Sequence, residues 1–124
     1  MTVILLLLAL ICHIAGFIFV FAAALGLLRF KDPLQRMHAA TKAGTLGAGL
    51  NVAGTAIASG DGLTLVVGTL TILFLFFTVP TAGHLLGRAI YVSGVPLSSL
   101  ESRDALKNVL HRRASDNPEE ALGD

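Results

Sequence analysis

Three long uncharged runs constrain the fold of this chain more than any other feature of its sequence. Residues 1–28, 43–60 and 62–87 contain no Asp, Glu, Lys or Arg. About 20 apolar residues are enough for a helix to cross the hydrocarbon of a bilayer. Only 14% of the 124 residues are charged, against about 25% in soluble domains. The pattern predicts an all-α integral membrane protein with three transmembrane helices.

The lengths of these runs set the expected boundaries. We expect helices at about residues 3–28, 33–58 and 63–87, which together make a membrane domain over residues 1–91. A polar and partly disordered tail is expected over residues 92–124. No Lys or Arg precedes the first run, and this favours a spanning helix over a secretory signal, which needs a basic start.

The nine basic residues predict the orientation. Four lie between the first and second uncharged runs, five follow the third run, and the SGDG turn at 59–62 has none. Because basic loops stay in the cytoplasm, we expect the N-terminus outside and the tail in the cytoplasm. Four basic residues close to the helix ends are the expected topology anchors: Arg29, Arg36, Lys42 and Arg88.

The second helix has a defined start and a face of small residues. Asp32 before Pro33 predicts a helix start, with Asp as N-cap and Pro at the first helical position. Small side chains and one amide then recur at helical spacing, and such a seam lets a partner helix approach closely. The seam consists of Ala40, Gly44, Gly47, Asn51, Thr55 and Ala58.

Seven residues in or near the predicted helices are candidates for an ion path or for proton handling. Pro80 frees a backbone carbonyl, which needs another partner in a bilayer. An ionisable residue inside a membrane suggests a function, although a neutral His13 hydrogen-bonded to a neighbouring helix is the alternative. Asn51 suits packing better than ion binding, and threonines often bond to their own helix. The seven candidates are His13, His38, Thr41, Thr45, Thr78, Pro80 and His84.

The uncharged runs lack the carboxylates that a transported cation usually meets. Three helices are also too few to enclose a path, so the chain is expected to assemble with itself or with other subunits. No nucleophile–base set, metal-ligand cluster or phosphate loop is present, so we expect no enzymatic activity, metal site or cofactor. The expected partners are the lipid bilayer and other membrane proteins, not nucleic acid.

Two segments carry the pattern of a known family. GLLRFKDPLQRMHAATKAGTLGAGL, residues 26–50, contains Arg-Phe, then Arg-x-His-Ala-Ala-Thr-Lys, then Thr-Leu-Gly. TVPTAGHLLGRAIY, residues 78–91, contains Thr-x-Pro, His and Arg-Ala. Together they resemble the G subunit of Mrp-type multisubunit cation/proton antiporters (MrpG, also MnhG or PhaG). His13 is not part of this pattern.

The resemblance implies a small subunit in a bacterial or archaeal cytoplasmic membrane, spanning it several times. The complex would exchange Na⁺, or sometimes K⁺ or Li⁺, for H⁺. This chain would help form or support the Na⁺ path beside E, F and large A subunits, with carboxylates supplied by these partners. Two alternatives stay open: a pure assembly scaffold in an antiporter or a membrane-bound hydrogenase-type complex, and a self-assembling, holin-like pore.

Overall fold

A computed structural model describes residues 2–94, and in this part of the chain all regular structure is helical. The elements in order are α1 (Val3–Arg29), α2 (Pro33–His38), a π-helix (Ala39–Gly44), α3 (Thr45–Ser59) and α4 (Gly62–Val92). The predicted all-α class is therefore confirmed for the described residues. The predicted tail lies outside them from residue 95 onward.

Within residues 2–94, two helices are long and apolar enough to cross a membrane, namely α1 and α4. The predicted second helix corresponds to α2, the π-helix and α3, which follow one another without a loop. Its longest segment, α3, has 15 residues, fewer than the roughly 20 that cross the hydrocarbon. The predicted third helix is longer than expected and continues to Val92.

Capping residues and one glycine define the two connections. Asp32 is the N-cap of α2, its carboxylate accepts the Leu34 N–H at 2.8 Å, and Pro33 follows at the first position. This confirms the predicted helix start. Between α3 and α4, Gly60 has φ 64°, a left-handed conformation that glycine adopts without a Cβ clash. Asp61 then caps α4.

Small residues hold α1 against α3. A Cβ added to Gly16 would lie 2.9 Å from the Gly47 carbonyl oxygen, and one added to Gly47 would lie 2.8 Å from the Gly16 carbonyl oxygen. The two backbones therefore touch at this crossing. Gly54 repeats the contact, since a Cβ there would lie 3.0 Å from the carbonyl oxygen of Ala9. Close backbone approach of this kind is typical of helix pairs packed in membranes.

Large apolar side chains point outward. Phe77 is 84% exposed and Leu28 is 83% exposed. The buried apolar residues of the described part are instead three alanines and one tyrosine: Ala9, Ala23, Ala56 and Tyr91. Exposure of this kind suits lipid or partner helices as surroundings, because lipid tails are as apolar as these side chains.

Candidate functional site

A groove lies between the π-helix region and α4. Its volume is about 320 Å³. Thr41 and Thr45 line it from one side and Gly83 from the other. A Cβ on Gly83 would lie 3.7 Å from the Thr41 side chain, so α4 passes close to the π-helix. We call this the π-helix groove; it is also lined by Ala40, Gly44, Ala48, Leu75, Val79, Ala82 and Leu86.

The threonines of this groove bond to carbonyls of their own helix. The Thr41 hydroxyl donates to the Met37 carbonyl at 2.8 Å, and the Thr45 hydroxyl donates to the Thr41 carbonyl. Each oxygen keeps lone pairs that can accept a further bond. π-Helical turns within α-helices often mark functional sites. The groove therefore carries two hydroxyl oxygens in an otherwise apolar lining, and among the described residues no Asp or Glu lines it.

A second, larger groove of about 700 Å³ lies between α1, α3 and α4, toward the SGDG turn. His13 of α1 and Asn51 of α3 line it and are joined by a hydrogen bond. Thr64 at the start of α4 also lines it. We call it the His13 groove; its other lining residues are Phe17, Val52, Thr55, Ala56, Val67, Gly68 and Thr71.

The orientation of the Asn51 amide determines the tautomer of His13. The Asn51 Nδ2 donates to the Gly47 carbonyl at 2.9 Å. Its Oδ1 is therefore the acceptor that faces His13 Nδ1, 3.1 Å away. A neutral His13 then carries its proton on Nδ1 and has Nε2 as acceptor. The structure thus shows the hydrogen bond between helices that the sequence left open as the alternative for His13.

Basic side chains gather at the end of the molecule where α1 meets α2. Arg36 donates from Nε to the Phe30 carbonyl at 2.6 Å, which ties α2 to the end of α1. The carboxylate of Asp32 at the same end is buried. We call this the basic end; its exposed cations are Arg29, Lys31, Arg36, Lys42 and Arg88.

Comparison with known proteins assigns a family. The profile of the Na⁺/H⁺ antiporter subunit family PhaG/MnhG/YufB matches residues 10–91. This chain belongs to that family. It is 36% identical to the G subunit of the Na⁺/H⁺ antiporter of Alkalihalophilus pseudofirmus over 119 residues, covering 91% of this chain and 96% of the relative. It is 38% identical to the G1 subunit of the Na⁺/H⁺ antiporter of Staphylococcus saprophyticus over 114 residues, covering 88% and 94%.

A solved structure shares the fold of this PhaG/MnhG family member. It is a chain of the membrane-bound sulfane sulfur reductase, an archaeal respiratory membrane complex. The TM-score is 0.68 at 36% identity, covering 86% of this chain and 93% of that chain. The same fold thus occurs in a membrane complex, and the family resemblance stated from the two sequence motifs is confirmed.

The two PhaG/MnhG motifs meet in the structure. The first, residues 26–50, forms the end of α1, all of α2, the π-helix and the start of α3, while the second lies in α4. A Cβ on Gly87 would lie 3.5 Å from the Met37 side chain, so α4 passes α2 closely at the basic end. Segments some 40 residues apart therefore enclose one groove.

The structure separates the seven candidates into groups. Thr41 and Thr45 line the π-helix groove, whereas His13 lines the other groove. Thr78 is half-buried and lines neither, and its hydroxyl donates to the Phe74 carbonyl at 2.7 Å. The remaining three, outside both grooves, have exposed side chains: His38, Pro80 and His84.

Pro80 lies inside α4 and does not interrupt it. The helix continues through it to Val92. On either side of Pro80, threonine hydroxyls donate to backbone carbonyls of α4. Thr78 donates to the Phe74 carbonyl, and Thr81 donates to the Phe77 carbonyl at 3.1 Å. Pro80 still supplies no N–H to the carbonyl of Phe76.

The six seam residues divide between several surroundings. Gly47 and Asn51 contact α1 of the same chain. Ala40 and Gly44 line the π-helix groove, and Thr55 lines the His13 groove. Ala58 is half-buried near the end of α3. Docking of a helix from another protein against this seam stays a prediction.

Two features of the site carried no signal in the sequence. The π-helix spans AATKAG, a stretch without proline whose composition also suits an α-helix. The bond from Arg36 to the Phe30 carbonyl joins residues six positions apart across a loop. The presence of threonines at 41 and 45 indicated only their hydroxyl bonds, since a hydroxyl at position i can donate to the helix carbonyl at i−4.

Proposed function

We propose that this chain is the small G-type membrane subunit of a multisubunit antiporter that exchanges Na⁺ for H⁺. The profile match over residues 10–91 and the similarity to G subunits of Na⁺/H⁺ antiporters support this function. The complex would lie in the cytoplasmic membrane of a bacterium or an archaeon. Its neighbours would be subunits of the E, F and large A types.

We propose that α2, the π-helix and α3 together cross the membrane as the middle of three spans. The basic end would face the cytoplasm and the SGDG turn the outside. Two observations support this arrangement. The three segments run on without a loop between α1 and α4, and the exposed cations of the described residues cluster at one end. Arg29, Arg36, Lys42 and Arg88 would anchor that end at lipid headgroups.

The π-helix groove would lie beside the cation route. The observation that carries this proposal is the pair of Thr41 and Thr45 hydroxyl oxygens in a groove that no Asp or Glu of residues 2–94 lines. A hydroxyl oxygen offers a cation only a partial negative charge. Neighbouring subunits would therefore supply the carboxylates of the route. His38 and His84, whose side chains are exposed outside the groove, are the candidates for proton handling in this proposal. Thr78 and Pro80 would shape the same stretch of α4.

The test replaces both hydroxyls of the groove. We expect the Thr41→Val/Thr45→Val variant to lower Na⁺/H⁺ exchange in vesicles that contain the assembled complex by about fivefold. That factor corresponds to roughly 1 kcal/mol, the usual worth of one hydrogen bond. Valine keeps the branched shape of threonine and replaces its hydroxyl with a methyl group. Exchange is measured as Na⁺-dependent collapse of a pH gradient.

The matched control is Thr69→Val. Thr69 is exposed on α4, lines neither groove, and its hydroxyl donates to the Leu65 carbonyl at 2.8 Å. It therefore loses the same kind of bond, and exchange should stay unchanged. If the double variant exchanges normally, the groove has no part in transport. If the complex does not assemble with the double variant, the π-helix region serves as an assembly scaffold instead.

A further inference from the structure

His13, which lines the His13 groove, has a ring nitrogen that residues 2–94 leave without a hydrogen bond. The ring bonds through Nδ1 to Asn51, which leaves Nε2 as an acceptor. Among the described residues, no hydrogen bond is formed at Nε2. The ring edge rests on α3, since a Cβ on Gly54 would lie 3.1 Å from Nε2. In hydrocarbon, such an acceptor is unfavourable unless a donor reaches it.

The walls of the groove suit a helix better than a lipid tail. Gly68 and Ala56 lie at its floor, where a Cβ on Gly68 would come within 2.9 Å of the Ala56 side chain. Small residues of this kind let another backbone approach closely. Phe17 is 68% exposed and Val67 is 54% exposed at the rim. An incoming helix would cover both, and an acyl chain could offer His13 no hydrogen bond.

We propose that the His13 groove is the docking site for one transmembrane helix of another subunit, which carries a hydrogen-bond donor at the level of His13. Hydroxyl, amide or protonated carboxyl side chains have the required chemistry. Two observations point to a donor-bearing helix as the occupant: the Nε2 acceptor has no partner among the described residues, and the small residues Gly68 and Ala56 form the floor of the groove. The inference rests on the proposed function, because it needs a complex with other membrane subunits.

The experiment incorporates the photoreactive amino acid p-benzoylphenylalanine in place of Thr55, which is exposed and lines the groove. The tagged chain is expressed in its own complex, irradiated in native membranes and purified. We expect one adduct, identified by mass spectrometry as this chain joined to a membrane segment of a different subunit. The comparison position is Phe77, which is 84% exposed and lines neither groove. It should not crosslink to that same segment.

The hydrogen bond is tested separately. His13→Phe keeps the aromatic bulk but removes both ring nitrogens, Nε2 and the Nδ1 that bonds to Asn51. It should lower the yield of the Thr55 adduct about threefold to tenfold. Ile18→Phe, at an α1 position that is 63% exposed and lines neither groove, should leave the yield unchanged.

The possible results separate the docking site from the proposed function. Adducts with lipid only, or with a second copy of this chain, overturn the docking proposal. An equal adduct yield in His13→Phe and the unaltered chain overturns the role of Nε2. Na⁺/H⁺ exchange by the same preparations reports on the proposed function independently. Normal exchange with lipid adducts only would reject the groove while leaving the antiporter role intact.

Discussion

At the scale of single residues, Gly47 sets how closely α1 and α3 can approach. A Cβ at this position would lie 2.8 Å from both the Gly16 carbonyl oxygen and the Val20 backbone nitrogen. Backbone atoms cannot move aside as the end of a flexible side chain can, so the helices themselves would have to separate. Separation would also stretch the bond between His13 and Asn51, which lies one turn away.

We therefore expect Gly47→Ala to lower the stability of the protein by about 1–3 kcal/mol, the usual range for an overpacked core. Gly49→Ala is the matched control, because a Cβ there would meet nothing within 4 Å. It should be neutral or slightly stabilising, since alanine favours helix over glycine. The measurement is loss of helix on titration with a denaturing detergent, followed by circular dichroism. Equal midpoints for the two variants would contradict the close crossing.

At the scale of helical elements, the start of α4 depends on a titratable cap. The Asp61 carboxylate accepts the Thr64 N–H at 3.0 Å and the Thr64 hydroxyl at 2.9 Å. The backbone N–H of Thr64, followed by the hydroxyl, lowers the pKa of Asp61 below its ordinary value of 3.8. A lowered pKa means that the cap stabilises the helix at pH values above 3.8. The stabilisation is lost as pH falls through the lowered pKa.

Amide hydrogen exchange at the start of α4 measures this cap. Protection of the Thr64 N–H should be high at neutral pH and should fall on acidification below 3.8. Asp61→Asn should keep a protected N–H without that pH dependence, because asparagine is a good N-cap that does not titrate. Asp61→Ala should be poorly protected throughout. Full protection in Asp61→Ala at neutral pH is the result that would exclude a capping role.

The π-helix is the element that most changes the interpretation of the sequence. The heptapeptide RMHAATK was the core of the family resemblance, and six residues that include its last four form the π-helix. A wider turn rotates the residues after it relative to an uninterrupted α-helix. The seam from Ala40 to Ala58 was predicted with 100° per residue throughout. Because of the π-helix, its residues do not all lie on one face of the helix. This explains why the seam residues meet α1 and two different grooves.

At the scale of the whole molecule, the arrangement of charge predicts the orientation in the membrane. We expect a membrane-impermeant maleimide added to intact cells to label Ser59→Cys at the SGDG turn. Lys31→Cys at the basic end should react only after permeabilisation, since basic segments stay in the cytoplasm. Both positions are exposed. Both variants are made in a Cys12→Ala background, because Cys12 is the only cysteine of the chain. Labelling in the reverse order would refute the proposed orientation.

The amino-acid sequence by itself determined the helical class, the start of α2 and the family. Each of these rests on local information: uncharged runs, an Asp-Pro cap, and motifs of contiguous residues. The sequence also selected His13 and Asn51 as polar residues among apolar ones. It could not pair them, because helical spacing tells which face a residue occupies but not which helix lies against that face.

Tertiary packing alone decided the rest. The contact of Gly16 with Gly47 sets the register of α1 on α3, and this register brings His13 within 3.1 Å of Asn51. Packing of α4 across the π-helix makes a groove from Thr41, Thr45 and Gly83. It also leaves His38, His84 and Pro80 outside that groove. The physical reason is that these contacts join segments far apart in the sequence, such as His13 and Asn51 at a separation of 38 positions. Whether such segments meet depends on how whole helices fit together.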